Sequence, residues 1–556
     1  MRLLLINPFY PISETPSPPL GLAFLGAALE RAGVEVKILD LVVSPYSKNM
    51  LESVLKGFLP HIVGTTAVTM TFDNAINVIE DVKSIDPDVI TVMGGPHVTF
   101  CAGDTMNSFP ALDCIVLGEG EETIVDLARA VEGGHSWGDI KGLVYRNGSE
   151  IHSTGFKPPG IELDSLPVPA RHLLPLGRYR ALEMPVSMTT SRGCPFKCIF
   201  CVGRKMVGAK IRYLSPEKVV DELEYLSTLN FHQINIADDV FTASKRHCLA
   251  VCSEIMRREI KTRWTAFARV DTVSREVLAK MKEAGCAVLS FGVETANRDI
   301  LKTIKKGITL EQVIAAVQMC KDLEITPHAS FILGLPGETP ETLKETVDFG
   351  EKLKDMGVSH GFHLLAPFPG TEIREESTRF DIRILTSDWR EYHANRAIVE
   401  TPSVNRKMLD EIVIDWESRF DEWLGEIKRR METGEAGQDE ALQLMRLERC
   451  VLIYDLMMGR VVEEKGSWRK ERRIITPTPP SPFKGEGLGG GQKRKFLYYQ
   501  VVSDSDALKT LVSRVVRSTN NGDEQVLNTL NYAVEQGNLR YVEDSGLIRW
   551  EWVDFL

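Results

Sequence analysis

Cys194-Pro195-Phe196-Lys197-Cys198-Ile199-Phe200-Cys201 sets three residues between its first two cysteines and two between the second pair. An odd cluster this tight cannot pair off within itself as disulfides. A structural zinc site needs four protein ligands, and no fourth Cys or His lies nearby in the sequence. Three thiolates suit a cubane iron–sulfur cluster with one iron left open for an exchangeable ligand. Residues 186–190 read as a short buried strand, and Ser191-Arg192-Gly193 breaks it. The cysteines therefore fall on the loop at the C-terminal end of a strand, where α/β enzymes carry their chemistry.

Outward from that loop, strands and helices alternate as far as residue 370. Strands are expected at 186–190, 233–237, 263–268, 287–292, 326–333 and 359–365. Helices are expected at 216–227, 245–258, 274–284, 310–323 and 341–356. Ser215 followed by Pro216 is a normal N-cap and first helical residue. Polar groups stand at the strand ends: Asp238 and Asp239, Arg269, Ser290 and Glu294, and Gly334-Leu335-Pro336-Gly337-Glu338.

The cysteine spacing, with aromatic Phe200 directly before Cys201, resembles the signature of the radical S-adenosylmethionine (SAM) superfamily. The resemblance implies that Cys194, Cys198 and Cys201 hold a [4Fe–4S] cluster whose open iron chelates SAM. One electron then splits SAM to a 5′-deoxyadenosyl radical. It also implies that the six strands form a partial (β/α)6 barrel with a wide lateral mouth. By the same resemblance Phe200, Asp238, Asp239, Arg269, Ser290 and Glu294 surround SAM, and Gly334, Leu335 and Pro336 pack on adenine. The superfamily's second-strand Gly-Gly-Glu is replaced here by Asp238-Asp239; a carboxylate still accepts from an ammonium. Read singly, Asp239 is equally an exposed turn residue or a helix N-cap, whereas Glu294 follows an apolar strand and fits that reading less well. Cys248 and Cys252, four apart on one helical face, read as buried free cysteines, as do Cys286 and Cys320.

Residues 1–140 show the same alternation. Strands are expected at 3–6, 34–39, 62–66, 89–93 and 114–117, and helices at 20–31, 73–84 and 121–131, giving a doubly wound parallel, Rossmann-like sheet. Ligands on such sheets sit outside the carboxyl ends of the strands. Those ends carry Asn7-Pro8, Thr65-Thr66 with Thr69, Gly94-Gly95-Pro96-His97 and Gly118-Glu119-Gly120. Singly these are tight turns; together, at one edge, they make a binding floor. Glycine lets a ligand approach the backbone. No Gly-x-Gly-x-x-Gly follows the first strand, which disfavours a dinucleotide. The pattern resembles the cobalamin-binding domain that precedes many radical SAM barrels. That implies cobalamin on this floor, touched by Asn7, Pro8, Thr65, Thr66, Thr69, Gly94, Gly95, Pro96, His97, Gly118, Glu119 and Gly120. A bulky side chain at Gly94 or Gly95 is expected to collide with the corrin ring. The Asp-x-His-x-x-Gly motif that supplies a lower cobalt ligand in other cobalamin proteins is absent, so base-off binding without that histidine is expected.

Residues 141–185 are proline-punctuated and read as a connector. Residues 371–475 read as a helical cap and substrate region, with helices near 406–430 and 440–459. Residues 476–495 are a Pro/Gly-rich linker and 496–556 a small α+β tail, expected to be dispensable because a linker implies few contacts across it. Net charge is −11, so no nucleic acid is expected as partner. No run approaches the ~18 apolar residues of a transmembrane segment, and ten cysteines without a secretory signal fit a cytoplasmic protein.

The combination implies a cobalamin-dependent radical SAM enzyme, akin to the class B methyltransferases. It is expected to methylate an unactivated carbon through a 5′-deoxyadenosyl radical and methylcobalamin. An electron donor such as flavodoxin or ferredoxin is implied, and the substrate is a small molecule, lipid or peptide. Two alternatives stand beside it. One is a ring-forming oxidative enzyme like the anaerobic Mg-protoporphyrin ester cyclase; the other is a non-catalytic cobalamin-binding regulator. A methylthiotransferase is disfavoured, because residues 3–131 hold only Cys101 and Cys114.

Overall fold

The structure, a computed structural model, describes residues 1–10 and 16–437, and after them stretches between 444 and 470, residues 500–502, and stretches between 529 and 554. The chain divides into two compact units. One holds Met1–Val42, Tyr46–Leu174 and Met184–Glu426; the other holds Val43–Pro45, Pro175–Glu183 and Ile427–Leu556.

The first unit begins with β1 (Arg2–Asn7), β2 (Glu35–Asp40), β3 (Ile62–Thr66), β4 (Ile90–Gly94) and β5 (Cys114–Val116). These pair in parallel in the order β2-β1-β3-β4-β5. The order doubles back at β1, so helices cover both faces, and the strands are apolar nearly throughout. Leu3, Leu5, Ile62 and Val92 pack under the helices Leu20–Arg31 and Glu121–Gly133. Leu4, Ile6 and Val63 pack on the opposite face. The expected sheet is extended by a hairpin from the connector. β6 (Leu143–Asn147) and β7 (Glu150–Ser153) add antiparallel beyond β5. Two helices were not expected, Lys48–Phe58 and Pro96–Ser108. The first starts at an Ser47 N-cap that accepts from the Met50 amide at 3.2 Å; the second is kinked at Cys101, which spoils its periodicity.

The same unit continues with β8 (Val186–Met188) and a two-stranded antiparallel ribbon, β9 (Ser191–Arg192) and β10 (Arg212–Tyr213). Then come β11 (Ile234–Ile236), β12 (Trp264–Ala268), β13 (Cys286–Glu294), β14 (Thr326–Leu333) and β15 (Ser359–Leu364). β8 and β11–β15 form a six-stranded, all-parallel sheet in strict sequence order. That is the expected six-stranded (β/α) layout. Alternation sorts the side chains: Trp264, Phe291 and Phe331 are fully buried against the helices, while their neighbours Phe267, Ser290 and Ser330 lie on the other face. Cys248, Cys252, Cys286 and Cys320 are buried and unpaired, as expected.

After β15, the short antiparallel pair β16 (Arg383–Ile384) and β17 (Val399–Glu400) leads into the helix Arg406–Thr433. Trp416 packs its ring on His360 and Phe362 of β15. In the second unit, β18 (Val461–Glu464) and β19 (Ser467–Lys470) form a hairpin, and β20 (Gln500–Val502), β21 (Leu539–Asp544) and β22 (Leu547–Trp552) an antiparallel sheet. This tail is not isolated. Arg178 pairs with Asp554, and Arg180 donates to Asn538 at 2.8 Å. The helix Leu176–Ala181 thus packs within the tail's unit, which corrects the expectation of few contacts. The linker 476–495, residues 503–528 of the α+β tail and most of the helix expected near 440–459 lie outside the described residues. Among the described residues, no helix is long and apolar enough to cross a membrane.

Candidate functional site

The cysteine loop leaves β9 through Gly193, whose φ of +120° and close approach to the Lys210 carbonyl admit no side chain. Three backbone bonds pin it: Cys194 amide to the Gly208 carbonyl (3.0 Å), Ile199 amide to Ile304 (3.2 Å) and Ile373 amide to the Ile199 carbonyl (3.0 Å). The Gly203 amide donates to Cys201 Sγ at 3.3 Å, and the Phe196 amide to the Cys194 sulfur. Burial raises all three thiols, Cys201 to about 11. They stay protonated until a metal displaces the proton. Among the described residues, no three His, Cys, Asp or Glu side chains converge on a single ion. A cubane does not require that, since each thiolate takes a different iron. Three free thiols on one loop, two of them accepting amide hydrogen bonds, fit such a cluster.

The expected strand-end residues divide. Asp238 is fully buried and accepts four hydrogen bonds: from the Thr190 amide (2.6 Å) and hydroxyl (2.5 Å) and from the Ser191 amide (3.1 Å) and hydroxyl (2.7 Å). It ties the end of β8 to β11 and has no capacity for a substrate ammonium, which corrects its place among the SAM contacts. Asp239 instead faces the cysteines. A side chain at Gly203 would lie 3.2 Å from Asp239 and 3.4 Å from Cys201 Sγ, so the two line one small space. Arg269 stacks on Phe196, its guanidinium carbon 3.6 Å from the ring centroid, and donates to the Lys306 carbonyl at 2.6 Å. Glu294 pairs with buried Lys306 at 2.6 Å. Its φ of +72° is a strained value for a glutamate at a strand end. Lys306, Arg269 and Glu294 all act electrostatically on Cys198. Lys306 was missed, for nothing in Ile304-Lys305-Lys306-Gly307 marks it. Gly334 has φ +91°, and its amide donates to buried Glu338 at 2.6 Å; burial lifts that carboxyl to about 8.

The edge of the first sheet is organised differently. Asn7 donates to Asp40 at 2.8 Å and is buried. Gly95, at φ +103°, could carry no Cβ, because that atom would sit 2.7 Å from the Ala67 carbonyl oxygen. The neighbouring loop by itself demands glycine at this position, a reason the sequence reading did not give. Gly94 is open, with only the Val116 carbonyl at 3.8 Å from a Cβ. His97 is also redirected. It is 2% exposed, with Nδ1 3.3 Å from Thr69 Oγ1 and its ring against those of Phe72 (4.3 Å) and Trp389 (4.8 Å). It is a packing residue under the segment after β15, not a group on the corrin edge. Glu119 is taken by Arg192 and Arg212. Thr65 remains: its buried Oγ1 has no hydrogen-bond partner. An orphaned hydroxyl at a central strand end, beside an open Gly94, fits a floor that a polar ligand completes.

Residues 188–350 match the Radical SAM superfamily, and residues 13–128 match the B12 binding domain. An uncharacterized methyltransferase of Pyrococcus horikoshii is 36% identical over 399 residues, which is 70% of this chain and 86% of that one. The anaerobic magnesium-protoporphyrin IX monomethyl ester cyclase of Rubrivivax gelatinosus is 29% identical over 76% of this chain and 77% of its own. In fold, the chain is similar to the cobalamin-dependent S-adenosylmethionine radical enzyme OxsB, with a TM-score of 0.65 at 18% identity, covering 98% of this chain and 82% of that one. The chain belongs to the radical SAM superfamily, as an enzyme with a B12-binding domain ahead of its barrel and with a [4Fe–4S] cluster, SAM and cobalamin as its cofactors.

Proposed function

We propose that this enzyme methylates an unactivated carbon of a substrate held in the barrel. One observation carries the reading: a three-cysteine loop, ringed by Asp239, Arg269, Glu294 and Lys306, shares one compact unit with a B12-type sheet. When bound, the cofactors supply a primary carbon radical able to abstract hydrogen and a methyl group to replace it. The chain's own work is to hold and aim them. Cys194, Cys198 and Cys201 hold the cluster. Asp239 accepts from the SAM ammonium, Lys306 and Glu294 bracket its polar end, and Gly334-Leu335-Pro336 backs the adenine. Thr65, Thr66 and Gly94 form the corrin floor. Phe267, Ser290, Ser330 and His363 line the inner face of the barrel and meet the substrate. Phe267 is half exposed on an otherwise buried strand, an apolar surface awaiting a partner. A flavodoxin or ferredoxin supplies the electron.

The test is anaerobic reconstitution followed by incubation of a cell extract with methyl-labelled SAM. A product carrying one extra labelled methyl is expected. The likeness to the cyclase favours a second reading, oxidative ring formation. A SAM-dependent product with no label and fewer hydrogens would establish that and overturn methylation.

A further inference from the structure

The cysteine loop is anchored at both ends by arginines. Arg192 precedes it on β9, Arg212 follows it on β10, and the two are register partners across the ribbon. Between them the chain runs through all three cysteines. Two guanidiniums side by side repel unless an anion lies between them. That anion comes from the B12-type domain, at the turn after β5. Arg212 grips Glu119 with two nitrogens, at 2.8 and 2.7 Å, and Arg192 reaches the same carboxylate at 3.2 Å. Arg192 also pairs with Glu121 at 2.7 Å and lies over the Phe24 ring at 4.8 Å. Arg212 donates further to the carbonyls of Ile161 and Val207, each at 3.0 Å. Glu119 and Arg212 are 7% and 9% exposed. This is a buried, charge-balanced knot, whose geometry is fixed by fork-to-fork pairing.

Glu119 lies between Gly118, at φ +70°, and Gly120. The turn that carries it is part of the expected cobalamin floor. Its side chain points to the other domain and its backbone stays on the floor. We infer that Glu119 is a positioning residue that clamps the cluster loop to the cobalamin floor through Arg192 and Arg212, fixing the separation of the two cofactors. Ser17 makes a lesser contact of the same kind, its hydroxyl 2.7 Å from that of Ser187 on β8. This rests on the functional reading above, because only a reaction spanning both cofactors needs the separation held.

The experiment uses the full chain reconstituted with iron, sulfide and cobalamin, reduced and given methyl-labelled SAM without substrate. Three quantities are read: cobalamin loading, release of 5′-deoxyadenosine, and transfer of the labelled methyl from SAM to reduced cobalamin, whose cobalt supplies the electron pair while S-adenosylhomocysteine leaves. In Glu119→Gln, 5′-deoxyadenosine release is expected to match the parent, while methyl transfer per bound cobalamin falls about 10–100-fold, the cost of an ångström-scale misplacement. The charge-exchanged double variant Glu119→Arg with Arg212→Glu keeps one carboxylate between two guanidiniums, and should recover most of the transfer. In the cofactor-free chain, amide exchange at 118–121 and 208–213 should rise together in Glu119→Gln and return in the double variant. Unchanged methyl transfer per bound cobalamin, or an equal fall in methyl transfer and 5′-deoxyadenosine release, in Glu119→Gln would overturn the clamp. If Glu119→Gln does not fold, a double variant that folds and loads but transfers no methyl overturns it equally. A parent enzyme that neither loads cobalamin nor cleaves SAM would sink the functional reading itself.

Discussion

The two parallel sheets of the first unit end alike in sequence, in turns rich in glycine and polar residues, yet they use those residues in opposite ways. At the barrel's edge Asp238 and Glu294 are engaged inside the protein, but the cysteine loop leaves side chains for the ligand: three thiols with no side-chain partner, and Asp239 turned to the same space. At the edge of the first sheet the side chains are engaged inside the protein. Asn7 holds Asp40, His97 packs against rings, and Glu119 crosses to the barrel. What remains there is backbone, plus the Thr65 hydroxyl and the half-buried Thr66. The contrast follows from ligand chemistry. A cluster and a zwitterion need charged groups at fixed points; a broad macrocycle needs a flat, close surface.

The comparison breaks most completely at the cysteines. Cys198→Ala should abolish both the cubane absorption and SAM cleavage, because two thiolates hold a cubane poorly. Both are read on the anaerobically reconstituted protein. A stoichiometric cluster in that variant would end the assignment of the loop. Cobalamin loading should persist, since no cysteine belongs to the first sheet's edge.

Next come the paired glycines. Gly95→Ala puts a Cβ 2.7 Å from a carbonyl oxygen, at a backbone angle almost reserved for glycine. The angle alone costs about 1–3 kcal/mol, and the overlap adds to it. Cobalamin binding and thermal stability should therefore fall together. Gly94→Ala, whose Cβ meets only the Val116 carbonyl at 3.8 Å, should leave the melting temperature nearly unchanged and weaken only cobalamin binding. Equal melting losses in both variants would show that Gly94 too is structural.

Much of this fold is legible in the chain because buried parallel strands are short apolar runs. Residues 62–66 and 326–333 read straight through to β3 and β14. The cysteine loop is equally legible, since a cluster fixes ligand type and spacing within one short segment. The partners of the strand-end polar residues are not. Asp238 and Asp239 are adjacent and chemically identical, yet alternation along the chain sends one into four hydrogen bonds and the other toward the cysteines. The use made of Glu119 depends on Arg192 and Arg212, 73 and 93 residues away. No local pattern announces such a pair, although Arg192 stands two residues before Cys194.

A smaller effect concerns Glu338, at the fifth strand's end. Its Oε2 accepts from the Gly334 amide, while its Oε1 is buried with no partner. Burial raises the carboxyl from 4.5 to about 8. The folded form thus favours the neutral acid. Its contribution is fully present below pH 4.5, and is lost as pH rises toward 8. Stability should decline by about 2–3 kcal/mol between pH 6 and 8, near 1.4 kcal/mol per unit. Glu338→Gln should flatten that slope. Parallel denaturation profiles for the two proteins would remove Glu338 as the cause.

The smallest expected effect is the most discriminating, because it should be nil. His97 follows Gly94-Gly95-Pro96, the position from which a histidine could approach cobalt. Its own pKa is pushed down to about 4 by burial, with the Arg374 charge adding to it, so at neutral pH the imidazole is uncharged and chemically able to bind a metal. Geometry decides against it. The ring is 2% exposed, packed against Phe72 and Trp389, and Thr69 holds Nδ1. Pulling His97 onto a ligand would open that packing and break its contact with the segment after β15. The bound cobalamin should therefore be base-off without an imidazole replacing the base, and His97→Ala should leave its absorbance and electron paramagnetic resonance unchanged. The variant should lose about 1–3 kcal/mol of stability through the Thr69 hydroxyl it leaves unpaired. That loss should be largest above pH 6.5. Below it the parent weakens as well, because its unfolded histidine takes up a proton that the folded one refuses down to about pH 4. Axial nitrogen coupling in the parent that vanishes in His97→Ala would reverse this reading. It would mean that the first sheet, like the barrel, offers a side chain to its cofactor.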